Sequence, residues 1–429
     1  MTTAVWPDHA VLDNPALVAP PRTLHVTGPL PLECGRVLPG HMVSFETYGT
    51  LSPTRDNAIL VCHSLTKGAH AAGRHAPGDP RPGWWDAAIG PGKPLDTDRY
   101  FVICAETLAA GRSTGPASPD PATGRPYGLR FPVVTVRDMV HAQQQLVTRL
   151  GIDRLHAVIG GCFGGQQAIE WAIQHPDQVG RAVVITTTPA TSAHSIAIFT
   201  VMRRLIRGDP AWNGGDYYGE SFPSAGLGAA IAAAVPLWMS AEVLDARFAR
   251  RPAPPASPAT ATPPDGPARL AATPARPAIT PARPAATPAR PAATPADGPV
   301  TAVGRRYTLD AEFEVESFIA RLAAQSGYQL DPNSLMYLTR AVEYFDLEAE
   351  YGGLQRALAP VSARVLFLSY RKDWRYPAAE TDRMHQALLA CGGDSRHVVL
   401  DSGLGHGAFL FDVAGLAGIV ADFLDQRNG

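Results

Sequence analysis

The chain has 429 residues, of which 45% are hydrophobic, and its 37 basic and 39 acidic side chains give a net charge of −2. This length suits one large α/β domain with an insertion, or two domains. This balanced charge, without an excess of basic residues, does not indicate binding to nucleic acid or to a membrane surface. The five cysteines lack paired spacing, which argues against a disulfide framework and a zinc site and favours a reducing, cytoplasmic compartment. No signal peptide or membrane span is predicted.

Apolar runs in the first half of the chain predict strands that alternate with helices. Strands are predicted at residues 42–48, 58–63, 100–105 and 181–186, and an amphipathic helix at 136–150. The proline-rich residues 1–40 predict a surface arm with one early strand, and residues 111–127 predict a loop. This alternation indicates a mostly parallel sheet that is covered on both faces.

Residues 154–171 are the most informative stretch of the sequence. A β-branched run leads into Gly160-Gly161-Cys162-Phe163-Gly164-Gly165, and a helical pattern starts at once behind it. This is the strand–turn–helix layout of a nucleophile elbow, with cysteine where serine usually stands. The alternative is a buried structural cysteine in a glycine-rich turn. An acid and a histidine that follow later in the chain, described below, favour the nucleophile elbow.

Strand signals disappear between residues 191 and 358, and helical patterns replace them. We therefore predict a helical lid at 191–360, inserted between a first core segment at 1–190 and a last one at 361–429. Within the lid, residues 251–300 repeat variants of Ala-Thr-Pro-Ala-Arg-Pro-Ala. This block has almost no large apolar residues, so it predicts a disordered insertion.

Two residues near the C-terminus complete a catalytic pattern with Cys162. Asp373 directly follows a predicted strand at 364–370, and His406 lies in a glycine-rich loop after the next one. The order nucleophile, acid, histidine is that of the α/β-hydrolase fold. Asp401 and Asp346 are rival acids, but the first lies at a strand end and the second in the lid. Cys162, Asp373 and His406 are the predicted triad.

Many stretches outside the triad carry a resemblance as well. The chain resembles the homoserine O-acetyltransferase family of α/β-hydrolase-fold acyltransferases, and the resemblance covers nearly all of it except the arm and residues 251–300. The matching stretches lie at residues 47–49, 62–66, 82–86, 89–93, 96–103, 111–118, 123–128, 160–171, 214–218, 313–317 and 405–406.

The resemblance implies a function and roles for individual residues. Cys162 would be acylated by an acyl-CoA, acetyl-CoA being the expected co-substrate, while His406 moves protons and Asp373 orients it. The backbone N–H groups of Leu65 and Phe163 would hold the oxyanion. A hydroxyl of homoserine or a related small acceptor would then take the acyl group in a ping-pong reaction. A homodimer formed through the lid helices is implied too, with no metal and no bound cofactor.

The sequence departs from the family pattern at positions that matter for the substrate. The family normally has serine at Cys162, an arginine for the substrate carboxylate near Ile231, and an aspartate for the substrate amine at Gly407. Losing both ionic contacts weakens the expectation of a zwitterionic acceptor. Arg112 and Arg340 are candidate replacements for binding the substrate.

Two other functions are consistent with the same sequence. One is a cysteine-dependent esterase, thioesterase or lactonase, in which water accepts the acyl group. The other is a non-catalytic relative, which the intact Cys–Asp–His set argues against. Transfer is favoured over hydrolysis by the family resemblance alone.

Overall fold

The structure is a computed structural model that describes residues 18–253 and 311–426, apart from residues 77, 80, 220 and 327–329. The first 17 residues of the predicted N-terminal arm, and residues 254–300 of the predicted disordered block, lie outside these residues. The rest of the arm contains three strands where one was predicted, and the first of them, at Arg22–Val26, joins the edge of the large sheet. Within the described residues, no single helix is long and apolar enough to cross a membrane. One pair of helices, at Gly405–Phe411 and Val413–Asp425, meets the length and composition criteria together, but it is bent by 66°.

The strands form one large sheet and two small ones within the described residues. They are β1 (Arg22–Val26), β2 (Leu30–Pro31), β3 (Val37–Leu38), β4 (His41–Tyr48), β5 (Ala58–Cys62), β6 (Ile89–Gly90), β7 (Leu95–Asp96), β8 (Phe101–Ala105), β9 (Ala157–Gly161), β10 (Arg181–Ile185), β11 (Arg364–Tyr370) and β12 (Ser395–Leu400). The large sheet has the order β1-β4-β8-β5-β9-β10-β11-β12. The six strands from β8 to β12 in that order are parallel, and β4 is antiparallel to both of its neighbours.

The described helices are α1 (Val136–Arg149), α2 (Phe163–Gln174), α3 (Ala193–Gly208), α4 (Ser224–Trp238), α5 (Ala241–Arg247), α6 (Glu314–Ser326), α7 (Pro332–Tyr344), α8 (Leu347–Tyr351), α9 (Leu354–Leu358), α10 (Ala378–Ala390), α11 (Ala408–Phe411) and α12 (Val413–Asp425). Short 3-10 turns lie at Gly128–Arg130, Pro176–Gln178, Pro210–Gly215 and Gly405–Gly407.

The core lies around the central strands. β5, β8, β9 and β10 are buried at every residue, as expected for parallel strands covered on both faces. Helix α2 packs against β5, β9 and β10, and α10 packs against β11 and β12. The predicted mostly parallel sheet is confirmed. The small β2–β3 and β6–β7 sheets were not predicted, because two-residue strands leave no periodic signal.

Between β10 and β11, the described residues form helices and a few isolated β-bridges. Helix α4 packs against α3 and α6, and its small residues allow this close approach. A Cβ atom at Gly226 would lie 2.8 Å from the carbonyl oxygen of Leu205 in α3. One at Gly228 would lie 3.0 Å from that of Ala323 in α6.

The two chain ends that flank the predicted insertion meet each other. Pro252 and Phe313 form an antiparallel bridge. The N–H of Ala253 donates to the carbonyl of Glu312 at 2.7 Å, and that of Glu314 donates to Arg251 at 2.9 Å. The segments that precede and follow residues 254–310 are therefore adjacent in the structure. The predicted domain boundaries themselves stay a prediction.

Candidate active site

Cys162 lies in a sharp turn between β9 and α2. Its backbone angles are φ 61° and ψ −121°, a conformation that residues other than glycine rarely adopt. Its N–H donates to the carbonyl of Ile185 at 3.0 Å, and its own carbonyl accepts from the N–H of Gly165 at 3.0 Å. These contacts hold a strained backbone in place, as at the nucleophile of an elbow.

The glycines around Cys162 allow backbone segments to approach one another closely. A Cβ atom at Gly160 would lie 2.2 Å from the carbonyl oxygen of Gly164. One at Gly164 would lie 2.1 Å from the carbonyl oxygen of Cys62, at the end of β5. Both contacts are far shorter than van der Waals distance, so any side chain would push the helix away from the sheet. The glycines fix where Cys162 lies.

Asp373 and His406 come together at the same edge of the sheet. Nδ1 of His406 lies 2.8 Å from Oδ2 of Asp373, and both residues are buried. Oδ1 of Asp373 accepts the backbone N–H groups of Arg375 and Tyr376, each at 3.0 Å. The hydroxyl of Thr186 donates to Oδ2. The carboxylate is thus fully hydrogen-bonded and fixes the ring orientation of His406.

The other ring nitrogen of His406 is available for proton transfer. Nε2 is buried and has no hydrogen-bond partner among the nitrogen and oxygen atoms of the described residues. His406 interacts with Cys162, since each group favours the charged form of the other. This is the relation that a general base requires with its nucleophile.

The electrostatics favour a thiolate–imidazolium pair. Burial raises the pKa of Cys162, but the positive charges of Arg375 and His406 outweigh it and lower the pKa to about 7. Burial lowers the pKa of His406, but Asp373 and Cys162 raise it to about 9. The pKa of Asp373 is lowered because His406 outweighs the effect of burial. A thiolate at neutral pH is the reactive form of cysteine.

Arg375 is a charged residue of the site that the sequence analysis missed. Its side chain is buried, and the guanidinium lies 5.4 Å from the ring centre of Phe199 and 4.9 Å from that of Tyr376. Nε and Nη2 have no hydrogen-bond partner among the described residues. A buried guanidinium with unused donors is a site for an anion. The available signal was a charged residue two positions after Asp373.

The predicted oxyanion loop is held beside the elbow by His63. The backbone N–H of Thr107 donates to Nε2 of His63 at 3.1 Å, and Nδ1 lies 2.9 Å from the carbonyl of Ser64. Burial lowers the pKa of His63 to about 4, so the ring is neutral. The side chain of Gln167 in α2 donates to the carbonyl of His63 at 3.3 Å. These bonds tie the segment carrying Leu65 to the helix that Phe163 begins.

The two arginines predicted for the substrate have other contacts. Nη1 of Arg340 lies 2.8 Å from Oε2 of Glu343, and its guanidinium lies over Tyr344. Arg112 is exposed, and its backbone N–H donates to Glu106 at 2.5 Å.

Of the two positions where the expected substrate-binding charges are missing, Gly407 lies in the turn of His406 and Ile231 lies on α4. A Cβ atom at Gly407 would lie 3.4 Å from both the carbonyl oxygen of Trp238, in α4, and the ring of Phe411. Ile231 lies on the same helix and is half-buried. The rival acids have structural contacts: Asp401 pairs with Arg371 at 2.8 Å, and Asp346 caps α8.

Comparison with known proteins gives a consistent family. A profile of the α/β-hydrolase fold matches residues 57–413. The homoserine O-acetyltransferase of Solidesulfovibrio magneticus is 39% identical over 93% of this chain and 89% of its own length. The homoserine O-succinyltransferase of Alkalilimnicola ehrlichii is 38% identical over 94% of both chains.

Solved structures agree with these relatives. The homoserine O-acetyltransferase from Bacillus anthracis superposes with a TM-score of 0.79 at 29% identity, over 96% of this chain and 99% of its own. Esterase E22 superposes with a TM-score of 0.76 at 28% identity, over 95% of this chain and 100% of its own. The same architecture thus occurs in a solved transferase and in a solved esterase.

Proposed function

Because this chain belongs to the homoserine O-acetyltransferase family of α/β-hydrolase-fold acyltransferases, we propose how its own residues transfer the acyl group. An acyl-CoA acylates Cys162, and the resulting thioester passes the acyl group to the hydroxyl of homoserine or a related small acceptor. The reaction belongs to amino-acid metabolism, in methionine or cysteine synthesis. The grouping of Cys162, His406 and Asp373 in one buried site carries the proposal.

The first half-reaction forms one thioester and breaks another. The thiolate of Cys162 attacks the acyl carbonyl, and the backbone N–H groups of Leu65 and Phe163 stabilise the oxyanion. The intermediate collapses with cleavage of the bond to the CoA sulfur, and that sulfur takes the proton from Nε2 of His406. Asp373 keeps Nε2 directed at the reacting sulfur by holding Nδ1 at 2.8 Å.

The second half-reaction returns the enzyme to its starting state. Nε2 of His406 takes the proton of the acceptor hydroxyl, whose oxygen attacks the thioester of Cys162. A new C–O bond forms, the C–S bond breaks, and the thiolate of Cys162 leaves beside the imidazolium. Water that reached the thioester would compete with the acceptor hydroxyl. Because Cys162 and His406 are buried, the site restricts water and favours transfer over hydrolysis.

The position of Arg375 supports a more specific proposal for the identity of the acyl donor. Two donors of the buried Arg375 guanidinium, Nε and Nη2, lack a hydrogen-bond partner among the described residues, and a carboxylate on the acyl chain would accept from them. A dicarboxylic acyl group such as succinyl has such a carboxylate, whereas acetyl has none. Some relatives carry the name homoserine O-succinyltransferase. We therefore propose a succinyl-type donor in place of the expected acetyl group.

Intact-protein mass spectrometry after brief mixing with succinyl-CoA or acetyl-CoA tests both parts. We expect one acyl adduct on the wild-type protein and none on Cys162→Ala. Competition between the two donors should favour succinyl, and Arg375→Leu should reduce this preference on the order of 10- to 100-fold, the value of a lost charged hydrogen bond. Arg340→Leu serves as the matched control.

The possible outcomes test donor choice, acceptor identity and transfer against hydrolysis separately. An unchanged succinyl preference in Arg375→Leu would leave the transferase intact and remove the role of Arg375 in donor choice. An adduct that homoserine or serine discharges faster than water identifies the acceptor. Discharge by water at the same rate with and without any acceptor would contradict transfer and support the cysteine hydrolase, as the likeness to esterase E22 allows.

The acceptor and the assembly call for experiments of their own. Ile231 and Gly407 offer no charge to an amino-acid zwitterion, so a panel that includes amino acids and uncharged alcohols belongs in the discharge experiment. The homodimer through the lid helices is tested by light scattering of the purified protein. The cytoplasmic location is likewise a prediction from the cysteine pattern.

A further inference from the structure

A second polar cluster lies apart from the triad. Glu46 on β4 is buried, with 2% of its side chain exposed. Its Oε2 lies 2.9 Å from Nδ1 of His70, and its Oε1 lies 2.7 Å from Nε2 of His75. The ligand atoms of these three residues all lie within 4.8 Å of one another. The acyl-transfer reaction uses none of them.

The cluster is separated from Cys162 by the order of the sheet. Glu46 pairs with Cys104 of β8, and the order β4-β8-β5-β9 places two strands between β4 and the strand that leads to Cys162. His70 and His75 come from the connection between β5 and β6. The cluster therefore joins an edge region of the sheet to a loop.

The carboxylate of Glu46 is oriented by a neighbour on its own strand. The hydroxyl of Tyr48 donates to Oε2 of Glu46 at 2.9 Å and accepts the backbone N–H groups of Ala71 and Ala72 at 2.8 and 3.1 Å. Tyr48 thus fixes both the carboxylate and the loop between the two histidines. Such hydrogen bonds behind the ligands are typical of metal sites in proteins.

Both oxygens of the buried Glu46 carboxylate face an imidazole nitrogen: Oε2 faces Nδ1 of His70, and Oε1 faces Nε2 of His75. The centres of the two imidazole rings lie 3.9 Å apart. Their side chains are 25% and 28% exposed, which leaves a path for an ion from solvent.

We propose that Glu46, His70 and His75 bind a divalent transition metal ion, with Zn²⁺ the ion that fits this chemistry best. Two imidazole nitrogens and one carboxylate are a common zinc ligand set, and tetrahedral zinc with three protein ligands keeps a fourth position for water. The ion takes the place of the hydrogen bonds between the two imidazole rings and Glu46. It ties the loop to β4, a structural role outside the acyl-transfer chemistry.

The test uses full-length protein freed of metal, with Cys34→Ser to remove an exposed thiol ligand. Titration with Co²⁺ is followed by its visible absorption, which is intense only for low-coordinate sites, and Zn²⁺ binding is measured by calorimetry. We expect one ion per chain. Glu46→Gln and His75→Asn should each weaken binding at least 10- to 100-fold.

The matched control is His397→Asn, which alters a second histidine pair with an acid. His397 lies 3.2 Å from Asp382, and its ring centre is 6.0 Å from that of His385. This variant should bind as the parent does. Equal binding by His75→Asn and the parent, or no binding by the parent, would overturn the proposal and leave a hydrogen-bonded cluster. His75→Asn decides the matter even if Glu46→Gln fails to fold.

Discussion

Nδ1 of His406 lies 2.8 Å from Oδ2 of Asp373, and this single contact decides which nitrogen of the ring faces Cys162. Asp373→Asn can keep the shape of the site, but its amide can favour the wrong tautomer of His406. We expect acyl transfer to fall about 10³- to 10⁴-fold with little change in the melting temperature. Steady-state kinetics with thermal melts would measure both.

The rival acid provides the control for this variant. Asp401 is exposed and pairs with Arg371, so Asp401→Asn should retain nearly full activity. If Asp401→Asn were the inactive variant and Asp373→Asn the active one, the assignment of the acid would be wrong.

The thiol of Cys162 should titrate near neutral pH. Its pKa is lowered to about 7 by Arg375 and His406 against the effect of burial. The rate of alkylation by iodoacetamide should therefore rise through about pH 7 and then level off. Peptide mass spectrometry would follow Cys162 separately from the exposed Cys34. Cys62 and Cys104 are buried and their pKa values are raised, so they should stay unmodified.

Arg375→Met should move this midpoint upward. Removing a positive charge destabilises the thiolate, so the pKa of Cys162 rises and alkylation at neutral pH slows. Arg340→Met, which removes a charge paired with Glu343, should leave the midpoint unchanged. An unchanged midpoint in Arg375→Met would show that His406 alone activates the thiol.

Gly164 should tolerate no side chain. Its added Cβ would lie 2.1 Å from the backbone oxygen of Cys62, so Gly164→Ala must move α2 away from the sheet. We expect a loss of about 1–3 kcal/mol in the free energy of unfolding, together with lost acylation of Cys162. Denaturant unfolding monitored by circular dichroism measures the stability.

Gly418→Ala is the matched glycine control. Gly418 lies inside α12, is exposed, and an added Cβ would meet nothing within 4 Å. Alanine in a helix interior is favoured over glycine, so this variant should gain about 0.4–1 kcal/mol. A comparable loss in both variants would contradict the explanation by close backbone approach.

Residues 254–310 should be dispensable for the fold. Pro252 and Phe313 are already paired, so a short Gly/Ser linker can join the flanking residues without moving them. Each halving of a flexible loop lowers its closure cost by about 0.6 kcal/mol, so an eightfold shortening should stabilise by about 2 kcal/mol at most. Acylation should be unchanged. Loss of folding would mean that this segment packs on the rest of the chain.

Local sequence patterns predicted much of the fold and part of the candidate site. The buried runs at β5, β8, β9 and β10 are short, apolar and flanked by polar residues, so each strand could be recognised by itself. The glycines around Cys162 marked the elbow because a sharp turn between strand and helix requires them. Asp373 and His406 could be selected because parallel strands bring their carboxyl ends to one edge.

Only the tertiary structure decided which side chains surround these residues. Arg375 follows Asp373 closely, but its burial beside Phe199 and its effect on Cys162 depend on contacts across the fold. Glu46 meets His70 and His75 across more than twenty residues of chain, with no motif spacing. Periodicity records how one element is buried, whereas charge and metal chemistry depend on which distant segments meet. The sequence alone therefore determined the scaffold and the order of the triad, and packing determined the electrostatics.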